Sequence, residues 1–338
     1  MLNIGDTVER YKVEGVLGHG GVATVYKVRH TELGTLHALK MLQVGNTATR
    51  DRLLKEGRTQ AALMHTNVVR VTDILRVGDN PGLVMEYVDG PSLQQHLEKN
   101  PPELDRGLRL FRGIVRGVAA AHYQGIIHRD LKPANVLLAV THEGIVPKVA
   151  DFGLLKSFAA PKNDGSPRTG TGMSMGTPQY MAPEQVRDAS RVDQRADLFS
   201  LGVILYELVC GETPFKGSTM LDVMNNITMG RFTAPERLVP GLPPPVRQAV
   251  VTLLSPEPED RYDSCDDLLQ AMFAERTPAA GLAGAEITAD PTLPPDQWSE
   301  PTQSAIPTPG WGHVGWELGA GALFFTAVVM MLGLMINR

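Results

Sequence analysis

Gly18 and Gly20 lie in a glycine-rich turn between two apolar runs near the start of the chain, in the stretch Gly18-His-Gly20-Gly-Val-Ala23-Thr-Val25. Glycines in such a turn let backbone N–H groups approach phosphate oxygens, because no Cβ stands in the way. A plain hairpin turn explains the same residues, since Ala23 stands where a third glycine would complete a GxGxxG pattern. The turn is therefore a candidate phosphate-binding loop, with the hairpin as the alternative.

Lys40 ends the apolar run LHALK and is a second candidate phosphate ligand. A lysine among buried neighbours needs an anionic partner, and a helix predicted nearby offers Glu56. A lysine–glutamate pair that anchors nucleotide phosphates is the arrangement that phosphoryl transfer requires. The alternative is a lysine whose apolar stem is buried while its ammonium group reaches solvent.

The stretch His128-Arg-Asp130-Leu-Lys132-Pro-Ala-Asn135, followed by Asp151-Phe-Gly, combines two carboxylates, an amide and a lysine. A phosphoryl group in transfer spreads negative charge over its oxygens, and metal ions held by such side chains neutralise that charge together with lysine. Either aspartate alone could be a solvated turn residue. The combination indicates phosphoryl transfer.

These motifs resemble those of the eukaryotic-type (Hanks) protein kinases, and they occur in the order of that family from Gly18 through Arg261. The resemblance covers residues 9–276. It implies an α+β, bilobal protein-kinase fold, in which a small antiparallel β-sheet lobe with one helix spans about residues 9–88. A larger, mainly helical lobe would span about residues 91–276.

The resemblance also implies catalytic roles. Asp130 would accept the proton of the substrate hydroxyl, with Lys132 in the same loop, and Glu56 would orient Lys40 toward the α and β phosphates of ATP. The nucleotide-binding residues that it implies are Leu17, Gly18, Gly20, Val25, Ala38, Lys40, Met85, Glu86 and Val88. Within this set, the Glu86 carbonyl and the Val88 amide would meet the adenine edge.

Metal binding and the scaffold follow from the same resemblance. Asn135 and Asp151 would hold Mg²⁺ or Mn²⁺ between the phosphates. The residues that would shape the substrate lobe are Thr177, which would contact Asp130, Glu184, which would pair with Arg261, and Asp197, which would brace the catalytic loop. Lys132 and Thr177 indicate serine or threonine as the acceptor, and the overall likeness is to the bacterial PknB-type group.

The predicted activation loop runs from residue 154 to about residue 179 and contains Thr169 and Thr171, which we expect to be autophosphorylated. In this family Arg129 receives a phosphate from that loop, and such a phosphate adds charge-assisted hydrogen bonds. Besides Ala23, which replaces the third glycine of the turn, two residues depart from the family pattern. Leu155 stands where a small residue often follows the Asp-Phe-Gly motif, and Gln60 stands one helical turn after Glu56, where an apolar residue usually stacks.

The elements that must position these residues differ between the two halves. Short β-rich runs separated by Gly, Asn and Asp turns fill most of residues 11–88 and predict antiparallel strands, interrupted by one helix near residues 49–64. After Pro91 the period changes to 3.6, with one apolar side formed by Leu108, Phe111, Val115, Val118 and His122. The run 197–210 is apolar nearly all round and predicts a buried helix.

Composition supports a folded body that does not bind nucleic acid. The 338-residue chain is 43% hydrophobic and 20% charged, with a net charge of −5, and no basic face is apparent. Its cysteines, Cys210 and Cys265, indicate reduced thiols in a cytosolic domain. The N-terminal residues lack the pattern of a signal peptide, so the body is expected to stay beside the ATP pool.

The C-terminal part has a different character. Pro, Ala, Thr and Gly dominate residues 277–316 and predict a juxtamembrane linker. Residues 318–336 carry no charge and no proline, and at 1.5 Å per residue such a helix spans about 28 Å, the thickness of a bilayer core. We expect a single-pass membrane protein, anchored at its C-terminus with the kinase domain cytoplasmic. A buried or amphipathic helix is the alternative.

Two other functions compete with an active serine/threonine kinase acting on protein substrates in signal transduction. A membrane-tethered pseudokinase scaffold would bind partners without turnover, although such proteins usually lack the equivalents of Lys40, Asp130 or Asp151. A small-molecule phosphotransferase would share the Asp and Asn residues but lack the segment 176–184. The kinase domain could also pair with itself as a homodimer.

Overall fold

A computed structural model describes residues 2–20, 23–42, 57–78, 80–99, 103–142, 144–152, 178–187 and 192–273. All of them belong to one unit of the chain, residues 1–280. Among the predicted site residues, Glu56, Thr169, Thr171 and Thr177 lie outside the described residues. The predicted linker at 277–316 and the predicted membrane helix at 318–336 also lie outside them.

The first part of the chain forms an antiparallel sheet. Its strands are β1 (Thr7–Val8), β2 (Tyr11–His19), β3 (Ala23–His30), β4 (Leu36–Leu42), β5 (Val71–Val77) and β6 (Asn80–Glu86). The order across the sheet is β1-β2-β3-β4-β6-β5, and residues 57–61 are helical between β4 and β5. The small sheet lobe predicted from the alternating runs is therefore confirmed.

A glycine permits the close packing of this sheet. A Cβ on Gly82 of β6 would lie 2.8 Å from Met41 Sδ and 2.9 Å from Leu39 Cδ1, both on the neighbouring β4. Leu39 has no exposed surface and packs in a cluster with Tyr26, Val28 and Val84. This cluster makes the sheet a firm support for the glycine-rich turn.

The second part is mainly helical, as predicted. Its helices are α1 (Leu93–Lys99), α2 (Leu104–His122), α3 (Pro183–Arg187), α4 (Arg195–Cys210), α5 (Met220–Thr228), α6 (Pro235–Leu238), α7 (Pro244–Leu253) and α8 (Cys265–Phe273). A two-stranded sheet of β7 (Val136–Thr141) and β8 (Gly144–Val149) lies between α2 and α3 in sequence.

Helix α2 buries the predicted apolar side, and α4 is buried almost all round. On α2 the buried residues include Phe111, Val115 and Val118, which follow the expected 3.6-residue spacing. Helix α4 buries a continuous run from Ala196 to Tyr206. It therefore forms the centre of the helical lobe. Among the described residues, no helix is both long enough and apolar enough to cross a bilayer.

Candidate active site

Two of the predicted catalytic residues, Asp130 and Lys132, lie on one loop before β7. Lys132 Nζ is 2.9 Å from Asp130 Oδ2, and Asn135 Nδ2 donates to the Asp130 carbonyl oxygen at 2.8 Å. A short 3₁₀-helix, Pro133–Asn135, begins with proline and brings the Asn135 side chain back toward Asp130. The loop therefore gathers a carboxylate, an ammonium group and an amide within hydrogen-bonding range.

A buried carboxylate in the helical lobe holds this loop. Asp197, in the first turn of α4, accepts hydrogen bonds from the N–H groups of His128 at 2.7 Å and Arg129 at 2.8 Å. Arg129 has a φ of 62°, a strained value for a residue other than glycine. Gln185 Nε2 donates to the Arg129 carbonyl at 2.9 Å. These bonds stabilise a bend that would otherwise relax.

His122 at the end of α2 completes the environment of Asp197. His122 Nε2 is 2.8 Å from Asp197 Oδ2, and its Nδ1 is 3.7 Å from Cys265 Sγ. The sequence placed His122 on the apolar side of α2 and gave it no function. A histidine among apolar positions at the buried end of a helix was the signal for this contact, because a buried imidazole needs a polar partner.

His128 links the catalytic loop to the Asp-Phe-Gly segment. Its Nε2 is 2.9 Å from the Ala150 carbonyl oxygen, and its ring centroid is 4.8 Å from that of Phe152. Burial lowers the pKa of His128, although the nearby Asp197 and the Ala150 carbonyl act in the opposite direction. The imidazole is therefore neutral at physiological pH, with Nε2–H as donor and Nδ1 accepting from Asp130 N–H.

Lys40 and Asp151 form the ion pair at the centre of the site. Lys40 Nζ on β4 is 2.6 Å from Asp151 Oδ1, and the lysine side chain is only 7% exposed. Burial alone would raise the pKa of Asp151, but the charge and hydrogen bond of Lys40 outweigh it and lower the pKa. The alternative of a solvated lysine is excluded, because Lys40 is buried and paired.

The strand register aligns the predicted nucleotide-binding residues. Gly18 lies opposite Val25, and Val25 lies opposite Lys40, so these three residues form a row across β2, β3 and β4. Ala38 lies opposite Met85 and packs with it. Leu17, next to Gly18, is 48% exposed, which is unusual for a leucine and leaves an apolar surface beside the row.

Residues of the helical lobe extend this apolar surface. Leu137 on β7 and Ala150 pack against the cluster that contains Ala38 and Met85, together with the predicted Val25 and Val88. Neither Leu137 nor Ala150 was predicted from the sequence. Leu137 lies on β7, the strand that begins directly after Asn135. Gly20 lies in the described part of the turn, and its N–H donates to the Ala23 carbonyl at 2.8 Å.

Glu86 ends β6 where the chain passes between the lobes. Its N–H donates to the Arg70 carbonyl at 2.8 Å. Its carboxylate pairs with Lys148 of β8, with Nζ 2.8 Å from Oε1. This ion pair connects the two lobes and was not predicted, because no local pattern relates residues that far apart in sequence.

The predicted scaffold pair is present. Arg261 forms two hydrogen bonds to the Glu184 carboxylate, each 2.8 Å long, and its side chain has no exposed surface. The same guanidinium donates to the carbonyl oxygens of Arg195, Ser255 and Pro256. The segment after residue 177 is thereby attached to the core of the helical lobe.

The residues that could hold a metal ion are Asn135 and Asp151. Because the Asn135 amide nitrogen binds Asp130, its oxygen is left as an acceptor. Within the described ranges, no group of three or more His, Cys, Asp or Glu side chains could form a metal site. Mg²⁺ commonly takes one or two protein oxygens and completes its shell with phosphates and water, so this pair of side chains fits that ion.

The family model that describes the protein kinase domain matches residues 11–278, and the chain therefore belongs to the protein kinase domain family. Curated relatives are bacterial serine/threonine kinases. Serine/threonine-protein kinase PknL of Mycobacterium tuberculosis is 35% identical over 257 residues, covering 75% of this chain and 62% of that protein. PknB of the same species is 34% identical over 271 residues, covering 77% of this chain and 42% of that protein.

A solved structure with the same fold is that of Rad53 residues 1–466 in complex with AMP-PNP. It matches with a TM-score of 0.65 and 25% identity, covering 78% of this chain and 65% of that one. The resemblance to bacterial Hanks-type kinases and the bilobal fold are thus confirmed. The chain spans 62% of the length of PknL, one of its relatives.

Proposed function

We propose that this chain is an active serine/threonine protein kinase that transfers the γ-phosphoryl group of ATP to protein hydroxyls. The observation that carries this proposal is the convergence of Asp130, Lys132 and Asn135 on one loop beside the Lys40–Asp151 ion pair. Asp130, Lys132 and Asn135 come from one loop, whereas Lys40 comes from β4 and Asp151 follows β8. The fold alone would not require charged or polar side chains at all of these positions.

Each side chain has a distinct task in this mechanism. Asp130 Oδ2 accepts the proton of the attacking hydroxyl, and Lys132, at 2.9 Å, offsets the negative charge that develops beside it. Lys40, which is buried on β4, neutralises phosphate charge. Mg²⁺, when bound by Asn135 and Asp151, would supply further charge neutralisation.

Several observations support ATP and a serine or threonine acceptor. The apolar cluster that includes Val25, Ala38, Met85, Val88 and Leu137 lies beside this site and offers the kind of surface that a purine ring packs on. The relatives are named serine/threonine-protein kinases, and the Rad53 structure contains the ATP analogue AMP-PNP. A pseudokinase scaffold has no observation in its favour, because Lys40, Asp130 and Asp151 are all present and correctly grouped.

Radiolabelled ATP with Mg²⁺, the full chain in detergent and a generic protein acceptor provide the test. We expect the variant Asp130→Asn to lose activity by a factor of about 10² to 10⁴, the usual contribution of a general base. An unchanged melting temperature would show that the variant is folded. Equal labelling by both proteins would refute the enzymatic assignment.

The activation loop is proposed to be autophosphorylated at Thr171 and Thr169. Support comes from Arg129, which is held at the catalytic loop by Asp197 and which the family uses to receive such a phosphate. Phosphopeptide mapping of the active chain, compared with Asp130→Asn, is the measurement. Absence of phosphate on both threonines in the active protein would contradict this part of the proposal.

We also propose that residues 318–336 anchor the chain in a membrane, with the kinase domain in the cytoplasm. The support is the uncharged run of nineteen residues, which suits a bilayer core. Membrane fractionation with an alkaline wash tests it. Release of the full chain into the soluble fraction would overturn the anchor. A homodimer through the kinase domain remains part of the proposal, tested by sedimentation.

A further inference from the structure

A side-chain hydrogen bond joins the two strands of the glycine-rich hairpin directly below its tip. His19 ends β2, and its Nδ1 is 3.3 Å from Thr24 Oγ1 on β3, its cross-strand partner in the register. At the tip itself, the Gly20 N–H donates to the Ala23 carbonyl at 2.8 Å. Neither His19 nor Thr24 has a role in the phosphoryl-transfer chemistry proposed for the site.

Burial is unequal on the two sides of this hairpin. On β2 every residue from Val16 to His19 is exposed. On β3 Thr24 is only 3% exposed, and it lies opposite Met41 of β4, which is buried as well. The pairing of β2 with β3 is also irregular, because the register shifts between Val16 and Gly18. Burial therefore fixes β3 in the sheet but does little to hold the end of β2.

The contact between His19 and Thr24 satisfies a buried hydroxyl. A hydroxyl that is removed from water without a hydrogen-bond partner costs free energy, and the imidazole of His19 supplies that partner. The Thr24 hydroxyl can donate to Nδ1 of a neutral imidazole or accept from Nδ1–H of a protonated one. The bond therefore forms in either charge state of the ring, and it couples the exposed end of β2 to a buried residue of β3.

We propose that His19 is a positioning residue for nucleotide binding, which fastens the end of β2 to Thr24 and holds the glycine-rich turn in place before ATP arrives. The next row across the sheet contains Gly18, Val25 and Lys40, so any movement of the end of β2 displaces Gly18 relative to Lys40. A turn that is already held loses less conformational freedom when it closes over phosphates, and the nucleotide binds more tightly.

The kinetic test, which rests on the proposed kinase function, measures KM for ATP and kcat of the full chain in detergent. We expect His19→Ala to raise KM about 2- to 10-fold, the scale of one ordinary hydrogen bond, and to leave kcat within about twofold. His19→Asn should restore most of the parent KM, because its amide places a hydrogen-bonding atom near the position of Nδ1. Lys12→Ala, an exposed position near the start of β2, is the control and should leave both constants unchanged.

Thr24→Val is the matched variant on the other strand, because valine keeps the shape of threonine and removes its hydroxyl. We expect it to raise KM for ATP as much as His19→Ala does, but to lower the melting temperature less, since it leaves no buried hydroxyl without a partner. The double variant should have the KM of either single variant, because both substitutions break the same bond. KM effects that multiply in the double variant would show that the two residues act separately and would overturn the proposal.

Hydrogen exchange of the nucleotide-free chain provides a readout that needs no kinase activity. Amides in the second half of β2 should exchange faster in His19→Ala and in Thr24→Val than in the parent, and His19→Asn should exchange at nearly the parent rate. Unchanged exchange in both variants, or an unchanged KM for ATP in either of them, would overturn the proposal. If the parent itself has no kinase activity, the proposed function fails, and hydrogen exchange together with the affinity for AMP-PNP still decides the role of His19.

Discussion

Asp197 is a single carboxylate on which the geometry of the catalytic loop depends. It has no exposed surface, and its oxygens bind two backbone N–H groups and the His122 ring. The backbone that it holds includes Arg129 at a φ of 62°. Without those bonds, nothing local favours that conformation over the relaxed alternatives.

The variant Asp197→Asn tests this dependence. An amide has only one acceptor oxygen, so its nitrogen would face an N–H donor and one backbone bond would be lost. We expect a destabilisation of about 2 to 4 kcal/mol and a fall in kcat of at least about tenfold. Urea unfolding and kinase assays provide the measurements. Asp260→Asn, an exposed position, is the control, and a fully active Asp197→Asn protein would contradict the expectation.

The lowered pKa of His128 predicts how the free energy of unfolding depends on pH. Its pKa is lowered in the folded protein by burial, so the unfolded chain takes up a proton at a higher pH than the folded chain. The contribution of His128 to the free energy of unfolding is therefore fully present above about pH 6.5. It declines as the pH falls below that value, by at most about 1.4 kcal/mol per pH unit.

The measurement is urea unfolding between pH 7.5 and 5. His128→Phe, which keeps a ring beside Phe152, should be less stable than the parent at pH 7.5 but should lose less stability on acidification. The partly buried His37, His65 and His96 also have lowered pKa values and contribute to the parent curve, so the difference between the two curves is the quantity of interest. If the free energies of unfolding of the parent and of His128→Phe change with pH by the same slope, His128 does not cause the pH dependence.

Helix α2 crosses the segment before β5 at a distance that only glycine allows. A Cβ on Gly117 would lie 2.4 Å from the Asn67 carbonyl oxygen. Asn67 is in turn fixed to β8, because its Nδ2 donates to the Pro147 carbonyl and its carbonyl accepts from Val149 N–H. The helix, the segment and the strand thus form one rigid junction.

Gly117→Ala measures the tightness of that junction. Alanine favours an isolated helix by about 1 kcal/mol, whereas here its methyl group meets a backbone atom that cannot rotate away. We expect a net destabilisation of about 1 to 3 kcal/mol, the usual range for overpacking. Arg109→Ala, on the exposed side of α2, should lie within about 0.5 kcal/mol of the parent. A stabilised Gly117→Ala protein would show that the crossing is loose.

The sequence predicted elements well where hydrophobic period and local motif agreed. The run DLFSLGVILYELVC predicted a buried helix over 197–210, and α4 spans Arg195–Cys210. One of the short β-rich runs, VVRVTDIL at residues 68–75, predicted a strand from residue 68, yet β5 begins at Val71. Val68 and Val69 instead pair with Val149 in the other lobe, a tertiary contact that no local propensity encodes.

The candidate site likewise contains residues that local motifs predict and residues that only the tertiary fold brings in. Motif spacing predicted Lys40, Asp130, Asn135 and Asp151, and the structure brings them together. Leu137 and Lys148 come from strands that fold against the hinge only when both lobes are assembled. Their positions follow from the topology of the whole molecule, so no local pattern predicts them.

At the scale of the whole molecule, a few polar contacts join the lobes. Among the described residues they include the Lys40–Asp151 pair, the Glu86–Lys148 pair, the hydrogen bond from Val69 N–H to the Val149 carbonyl and the two bonds that fix Asn67 to β8. The first lies at the catalytic centre and the others lie behind the hinge. We therefore expect relative movement of the lobes to pivot near Glu86.

A double-mutant cycle on Glu86→Gln and Lys148→Met measures the coupling at that pivot. The two side chains are 35% and 15% exposed, so the pair is partly shielded and should contribute more than a surface ion pair. We expect a coupling energy of about 0.5 to 2 kcal/mol in urea unfolding. Additive effects of the two substitutions would show that the pair does not hold the lobes together.

Because Arg261 is enclosed, its chemical labelling can report when the helical lobe opens. Its guanidinium is fully enclosed, with Glu184 and several carbonyl groups around it. A dicarbonyl reagent, which labels accessible arginines, can reach it only when that region opens. The rate at which Arg261 acquires label, read by mass spectrometry, therefore reports the opening of the helical lobe in the otherwise native protein.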